Sequence, residues 1–170
     1  MSSEKQADIQ SLKEGQEKNG YLYAIRLLSV TNRSERELKK RLSDKGYSDS
    51  AIDRIVELLK NQKYLNDLAL AKQQIDYSVL GNPKGRKRLR FELRYKGLDD
   101  NTIDTALQGY EVSTEREIAY EIAERKFDNM RNDELPKRLK RLFDFLARRG
   151  FDYDTCREIT DKLRRQHENK

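Results

Sequence analysis

The feature that most constrains this chain is a segment that it spells three times. Residues 38–47 read Leu-Lys-Lys-Arg-Leu-Ser-Asp-Lys-Gly-Tyr, residues 89–98 Leu-Arg-Phe-Glu-Leu-Arg-Tyr-Lys-Gly-Leu, and residues 142–151 Leu-Phe-Asp-Phe-Leu-Ala-Arg-Arg-Gly-Phe. Each is Leu-x3-Leu, two residues, a basic residue, a glycine and an apolar or aromatic residue. Gly46, Gly97 and Gly150 lie 51 and 53 residues apart. Self-similarity at such a period marks an array of supersecondary units. Counted from each glycine, Leu38, Leu89 and Leu142 stand at minus eight, and Leu42, Leu93 and Leu146 at minus four. Ser48, Asp99 and Asp152 stand at plus two, as caps, and Ile52, Ile103 and Cys156 at plus six.

Charged residues make up 39% of the 170 residues and the apolar set 35%, too little for one large core but enough for thin helices that each bury a stripe. Two prolines and eight glycines argue against a loop-rich fold. The expected fold is all-α, an elongated array of three tandem three-helix repeats over residues 20–62, 63–111 and 112–165, with tails at 1–19 and 166–170. A helical turn near Ile9 and Leu12 is expected within the first tail.

Repeat one opens near Tyr21, with Leu22, Ile25 and Leu28 on one face and Tyr21, Ala24 and Leu27 beside it. Ser34 and Glu37 form a capping box for the second helix, which buries Leu38 and Leu42 and ends at Gly46. Ser48 caps a third helix facing inward through Ile52, Ile55, Val56 and Leu59. In repeat two, Asn66 or Asp67 caps a helix carrying Leu70, Ala71, Gln74, Ile75 and Val79, broken by Gly81-Asn82-Pro83. A basic helix with Leu89 and Leu93 inside follows, then one capped by Asp99. In repeat three, Thr114 and Glu117 read as a capping box, Ile118 and Ile122 face inward, Asn132-Asp133 caps the next helix and Asp152 the last.

Positive charge collects on the middle helices. Between Lys84 and Lys96 there are seven basic residues against Glu92 alone, and between Lys137 and Arg149 six against Asp144. Stacked in register, these helices make a basic stripe along one side of the array. Candidate binding residues are Lys84, Arg86, Lys87, Arg88, Arg90, Phe91, Arg94 and Tyr95, with a secondary stripe of Lys39, Lys40, Lys137, Arg138, Lys140, Arg141 and Arg148. Phe91 and Tyr95 lie four apart, so they share a face that is not the face of Leu89 and Leu93. The equivalent positions elsewhere are polar, Lys40 and Asp44, then Asp144 and Arg148. The two rings are therefore either anchors for a partner surface or a stacked base, or packing against a neighbouring repeat.

The net charge of +6 suits a polyanionic or acidic partner. Catalytic chemistry is not written here: there is no P-loop, no GxGxxG and no metal spacing of cysteine and histidine. The single histidine, His167, falls in the expected tail as an incidental surface residue. The single cysteine, Cys156, occupies an isoleucine register and reads as a buried thiol; alone, it suits a reducing cytosol. No apolar run has the length of a membrane span. No enzyme activity, cofactor or metal is expected.

Three patterns carry a resemblance. They are Ser34-Glu-x-Glu-Leu-x3-Leu42-x2-Lys-Gly46, Tyr64-Leu-Asn-Asp67-x2-Leu70-Ala71, and Gly85-x2-Arg88-Leu-Arg-x-Glu-Leu-x2-Lys-Gly97. Together they resemble RecX, the bacterial regulator of the RecA recombinase, from about residue 20 to 165. Asn66, where the family usually has aspartate, and Leu70, where it often has phenylalanine, are conservative departures. The resemblance implies a cytoplasmic helical-repeat protein of homologous recombination, DNA repair and the SOS response. It implies binding to the RecA filament on single-stranded DNA, with restraint of ATP hydrolysis, strand exchange and co-protease activity. The alternative from the residues alone is a direct DNA-binding helical protein that reads single- or double-stranded DNA through the stripe. A monomer is expected.

Overall fold

The computed structural model describes Leu12 and residues 15–168; the turn expected at Ile9 and the chain end at 169 and 170 lie outside the described residues. Among the described residues there are nine helices and no strand. They are α1 (Gln16–Val30), α2 (Glu35–Asp44), α3 (Asp49–Asn61), α4 (Asp67–Gly81), α5 (Arg86–Tyr95), α6 (Asp100–Gln108), α7 (Val112–Asp128), α8 (Leu135–Arg148) and α9 (Tyr153–Glu168). They form three triplets, α1–α3, α4–α6 and α7–α9, and each middle helix ends at one of the three register glycines. Gly46, Gly97 and Gly150 have φ of 90°, 90° and 83°, the left-handed region where a β-carbon is strained.

The chain divides into two compact units, Met1–Ala71 with Arg94–Thr102, and Lys72–Leu93 with Ile103–Lys170. In the first, α1 packs on α2 and α3, and α2 on α3. The core gathers Tyr21, Ala24, Leu38, Leu42, Ile52, Ile55, Val56, Leu59 and Leu65. The capping box forms: the Ser34 hydroxyl accepts from the Glu37 amide while Glu37 accepts from the Ser34 amide. Ser48 occupies the cap position of α3, but its hydroxyl pairs with Ser50 rather than with a helix amide.

Three expectations for α1 are corrected. The helix begins at Gln16 rather than near Tyr21, and Leu12 is buried in the core, so these residues are not tail-like. Its inner face runs through Gly20, Tyr21 and Ala24, and Leu22 is 48% exposed. The reason is Gly20. A β-carbon there would lie 2.6 Å from Ile55, so α1 approaches α3 closely at that point and the helix rolls to present it.

In the second unit, α8 packs on α7 and α9, and α9 on α7, around Ala119, Ile122, Phe127, Leu139, Leu142, Leu146, Cys156, Ile159 and Leu163. Asp152 caps α9 through the Thr155 amide at 2.7 Å. Cys156 is buried as its register implies, and burial, with Asp152 nearby, pushes its thiol up to about 11. The box expected from Thr114 and Glu117 and the cap expected from Asn132-Asp133 do not form. α7 begins at Val112 after Glu111, and α8 at Leu135 after Glu134, with no side-chain cap at either. Ile118 is only half-buried, while Glu115 takes a place on the inner face at 4% exposure. α9 continues to Glu168, and the His167 ring meets Phe127 edge-on at 4.9 Å, so His167 is a packing residue within a helix.

Both units contain the same kind of joint between successive triplets. In the first unit, the Glu35 amide at the start of α2 donates to Asp67 at the start of α4, at 2.9 Å. The Ser34 hydroxyl donates to the Lys96 carbonyl, and Arg36 lies against Gly97. In the second unit, the Arg86 amide at the start of α5 donates to Glu115 of α7 at 2.8 Å. The Gly85 amide donates to the Arg149 carbonyl at 2.9 Å, and Arg88 lies against Gly150. Glu35 and Arg86 are the same register position, minus eleven. A carboxylate from the following triplet thus meets an otherwise orphaned amide and the positive end of the helix dipole. Burial pushes both the Asp67 and Glu115 carboxyls up, against these hydrogen bonds.

Candidate functional site

α5 is the basic helix, and its two faces are distinct. Leu89 and Leu93 are buried on one side. Lys87, Arg88, Phe91, Arg94 and Tyr95 are exposed on the other. Phe91 is 61% and Tyr95 86% exposed, so the choice left open by the sequence falls on exposure. The row Lys87, Phe91, Tyr95 has a spacing of four, which aligns the three side chains along the helix. The Arg88 guanidinium sits 5.6 Å from the Phe91 ring centroid, a cation resting on an aromatic face.

Arg86, Arg90 and Lys84 are committed to structure. The Arg86 guanidinium donates to the carbonyls of Leu107 and Tyr110 at the end of α6. Arg90 pairs with Asp104, and Lys84 with Glu92 at 2.6 Å. Burial alone would push the Glu92 carboxyl up, but hydrogen bonds from Lys84 and Arg88 outweigh it and hold it below the usual carboxylate range. Arg94 pairs with Asp100 at 2.7 Å while remaining exposed. Lys87 makes no ion pair among the described residues, though its charge helps to lower Asp152.

α5 is fixed at its start without a capping side chain. Gly85 occupies the cap position, where a β-carbon would lie 2.2 Å from the Gly150 carbonyl oxygen. The closeness of that approach is what requires glycine, and Glu115 then supplies the acceptor that a serine or aspartate cap would otherwise provide.

The secondary stripe is divided. Lys40, Lys137, Lys140, Arg141 and Arg148 are exposed, with Lys137 and Arg141 both on Asp133. Lys39 bridges Glu35 and Asp53, each at 3.1 Å. Arg138 is turned inward, 9% exposed, with its guanidinium 3.7 Å from the Phe127 ring centroid and donating to the Phe127 carbonyl. It is not available to a partner, contrary to expectation. Its register position, minus twelve, is that of the cap residues Ser34 and Gly85, so it lies where the start of a middle helix is buried.

Sequence reasoning missed Glu115. A signal existed: it precedes Ala119 by four, which puts a carboxylate on the inner stripe of α7, and the cap position it serves holds a glycine. No group of three or more histidine, cysteine, aspartate or glutamate side chains that could hold a metal occurs among the described residues, and no helix there is long and apolar enough to cross a membrane.

Three family models match in succession: RecX, first three-helix domain, over residues 21–59; RecX, second three-helix domain, over 66–107; and RecX, third three-helix domain, over 114–160. Regulatory protein RecX of Chlorobium phaeobacteroides is 33% identical over 147 residues, covering 86% of this chain and 95% of that protein. Regulatory protein RecX of Clostridium perfringens is 29% identical over 162 residues, covering 92% and 76%. The crystal structure of RecX from Lactobacillus salivarius superimposes with a TM-score of 0.79 at 25% identity, covering 87% of this chain and 96% of that one. The order of the three matched domains is the order of the three helix triplets, and this chain belongs to the RecX family of regulatory proteins.

Proposed function

We propose that the protein binds the RecA nucleoprotein filament and restrains its ATP hydrolysis, strand exchange and co-protease activity, and that the exposed face of α5 is its main contact. It acts as a cytoplasmic monomer, by binding rather than catalysis, and without a cofactor. The observation that carries the site is the exposure of Phe91 and Tyr95 beside Lys87, Arg88 and Arg94. Two unburied rings cost water contact, and rings flanked by cations are the residue types that dominate interface energetics. A filament of protein on single-stranded DNA presents acidic side chains and phosphates together, and both suit such a face. Lys84, Arg86 and Arg90 support the face from within, and Lys40, Lys137, Lys140, Arg141 and Arg148 are further exposed cations.

The test is a titration into RecA–single-stranded-DNA ATPase. Wild-type protein should suppress hydrolysis at concentrations where naked duplex is not retarded. Charge reversal at Lys87, Arg88 and Arg94 should raise the inhibitory concentration at least tenfold with an unchanged circular dichroism spectrum. Unchanged inhibition refutes the site. Retardation of naked duplex at the inhibitory concentration, with a steep salt dependence, would favour direct DNA binding instead.

A further inference from the structure

The last triplet carries a surface that the first two do not. In triplet one, the side chains at minus seven and plus seven from the register glycine, Lys39 and Asp53, form an ion pair between the middle and third helices at 3.1 Å. In triplet two the same positions, Arg90 and Asp104, do the same. In triplet three, minus seven is Phe143 and plus seven is Arg157. The cross-helix ion pair is gone. Phe143 instead meets Tyr153 edge-on at 5.5 Å, and Tyr153 is exposed. An apolar pair thus stands on a face that its two internal counterparts make ionic.

Beside this pair lies a groove of about 420 Å³ between α8 and α9. Leu135, Pro136, Leu139 and Phe143 form its apolar wall, Thr160 lies on the α9 side, and Lys140, Arg164 and Glu168 are exposed around it, two cations against one carboxylate. Leu139 and Arg164 stand at minus eleven and plus fourteen, the positions of Glu35 and Lys60. Glu35 and Lys60 pair at the joint where triplet one receives the first turn of α4. The groove therefore shares these two positions with the face at which triplet one holds the start of α4, but α8 begins at Leu135, so Leu139 lies inside the helix and puts an apolar wall where Glu35 offers a helix-start amide. Lys140 makes no ion pair among the described residues, and Arg164 reaches Asp161 only at 3.7 Å.

We infer that the α8–α9 groove of the third triplet is a docking site for an acidic amphipathic helix of a partner protein. The helix lays apolar residues spaced three and four apart on Leu135, Pro136 and Phe143, and its carboxylates meet Lys140 and Arg164. In both joints within the chain the incoming element likewise contributes a carboxylate. The apolar wall and the pair of rim cations favour a protein helix over a nucleic acid, which would call for a longer cationic track. This inference does not rest on the face of α5 and shares only Lys140 with the surrounding cations named there.

A suitable probe is a synthetic, end-blocked helical peptide with leucine at i, i+3, i+4 and i+7 and glutamate at the flanking positions, titrated into the isotopically labelled full chain. Binding in the micromolar range is expected, with amide shifts confined to α8 and α9. Phe143→Asp should weaken it at least tenfold, and the doubly reversed Lys140→Glu, Arg164→Glu variant, which alters only exposed side chains, should do so with an unchanged thermal melt. Four results would overturn the inference: no binding, shifts centred on α5, equal affinity in both variants, or occupation of the groove by a duplex oligonucleotide or a second copy of this chain in preference to the peptide.

Discussion

Glu115 is the residue where the physics of this chain is most exposed to test. Its carboxyl is 4% exposed, accepts the Arg86 amide and lies near the Arg86 charge, yet burial outweighs both and pushes its pKa above the ordinary glutamate value. A carboxyl whose folded pKa exceeds its unfolded one binds its proton more tightly in the native state. Its stabilising contribution is therefore complete below the unfolded pKa and is lost as pH rises through the folded pKa. Glutamine keeps an acceptor for the amide and does not titrate. The urea midpoint of the wild type relative to Glu115→Gln should fall as pH rises above the ordinary glutamate pKa and level off once pH has passed the raised one. A difference that is flat or rises over that window contradicts burial as the dominant influence. Glu115→Ala, which strips the amide of its acceptor, should be less stable than Glu115→Gln by about 1–3 kcal/mol at any pH.

The helix ends show why three like glycines are not equivalent. Gly46 and Gly150 share a left-handed φ, but a β-carbon at Gly46 meets nothing within 4 Å, whereas one at Gly150 lies 2.4 Å from the Arg88 backbone nitrogen. Gly46→Ala should cost only backbone strain, about 1–2 kcal/mol. Gly150→Ala adds a clash with backbone that cannot rotate away, for a further cost of about 1–3 kcal/mol. Equal losses in denaturant unfolding would mean that the turn at Gly150 is not clasped by the start of α5. The same contrast explains what the sequence could and could not reveal. The Leu-x3-Leu-x3-Gly rhythm defines where each middle helix ends, because periodicity and a left-handed glycine are local physics. The starts of α7 and α8 depart from the expected caps because capping competes with tertiary contacts. At α7, Thr114 and Glu117 could form a box, but the helix extends back to Val112 so that Glu115 can reach Arg86. At α1, the close approach required by Gly20 overrode the apolar row through Leu22.

For the molecule as a whole, the family and the triplet architecture were legible in the sequence, whereas the joints were not. A joint is made of residues from two triplets, such as Asp67 with Glu35 or Gly85 with Arg149, and no single periodic segment records the pairing. Arrays of this kind draw stability from repeat interiors and nearest-neighbour contacts together, so joint residues contribute alongside the core leucines. The candidate face of α5 was legible in part. Exposure of Phe91 and Tyr95 follows from their offset to Leu89 and Leu93, but the sequence could not separate Arg86 and Arg138, held inside by carbonyl oxygens, from cations that face outward. The claim that matters most is that this face meets RecA. It is tested most directly by placing a benzoylphenylalanine photocrosslinker at position 91, 95 or 77, since Tyr77 of α4 is 75% exposed and is assigned no contact. Irradiation with RecA filaments should cross-link RecA from positions 91 and 95 and not from 77; no cross-link from 91 and 95, or one of equal yield from 77, would contradict it.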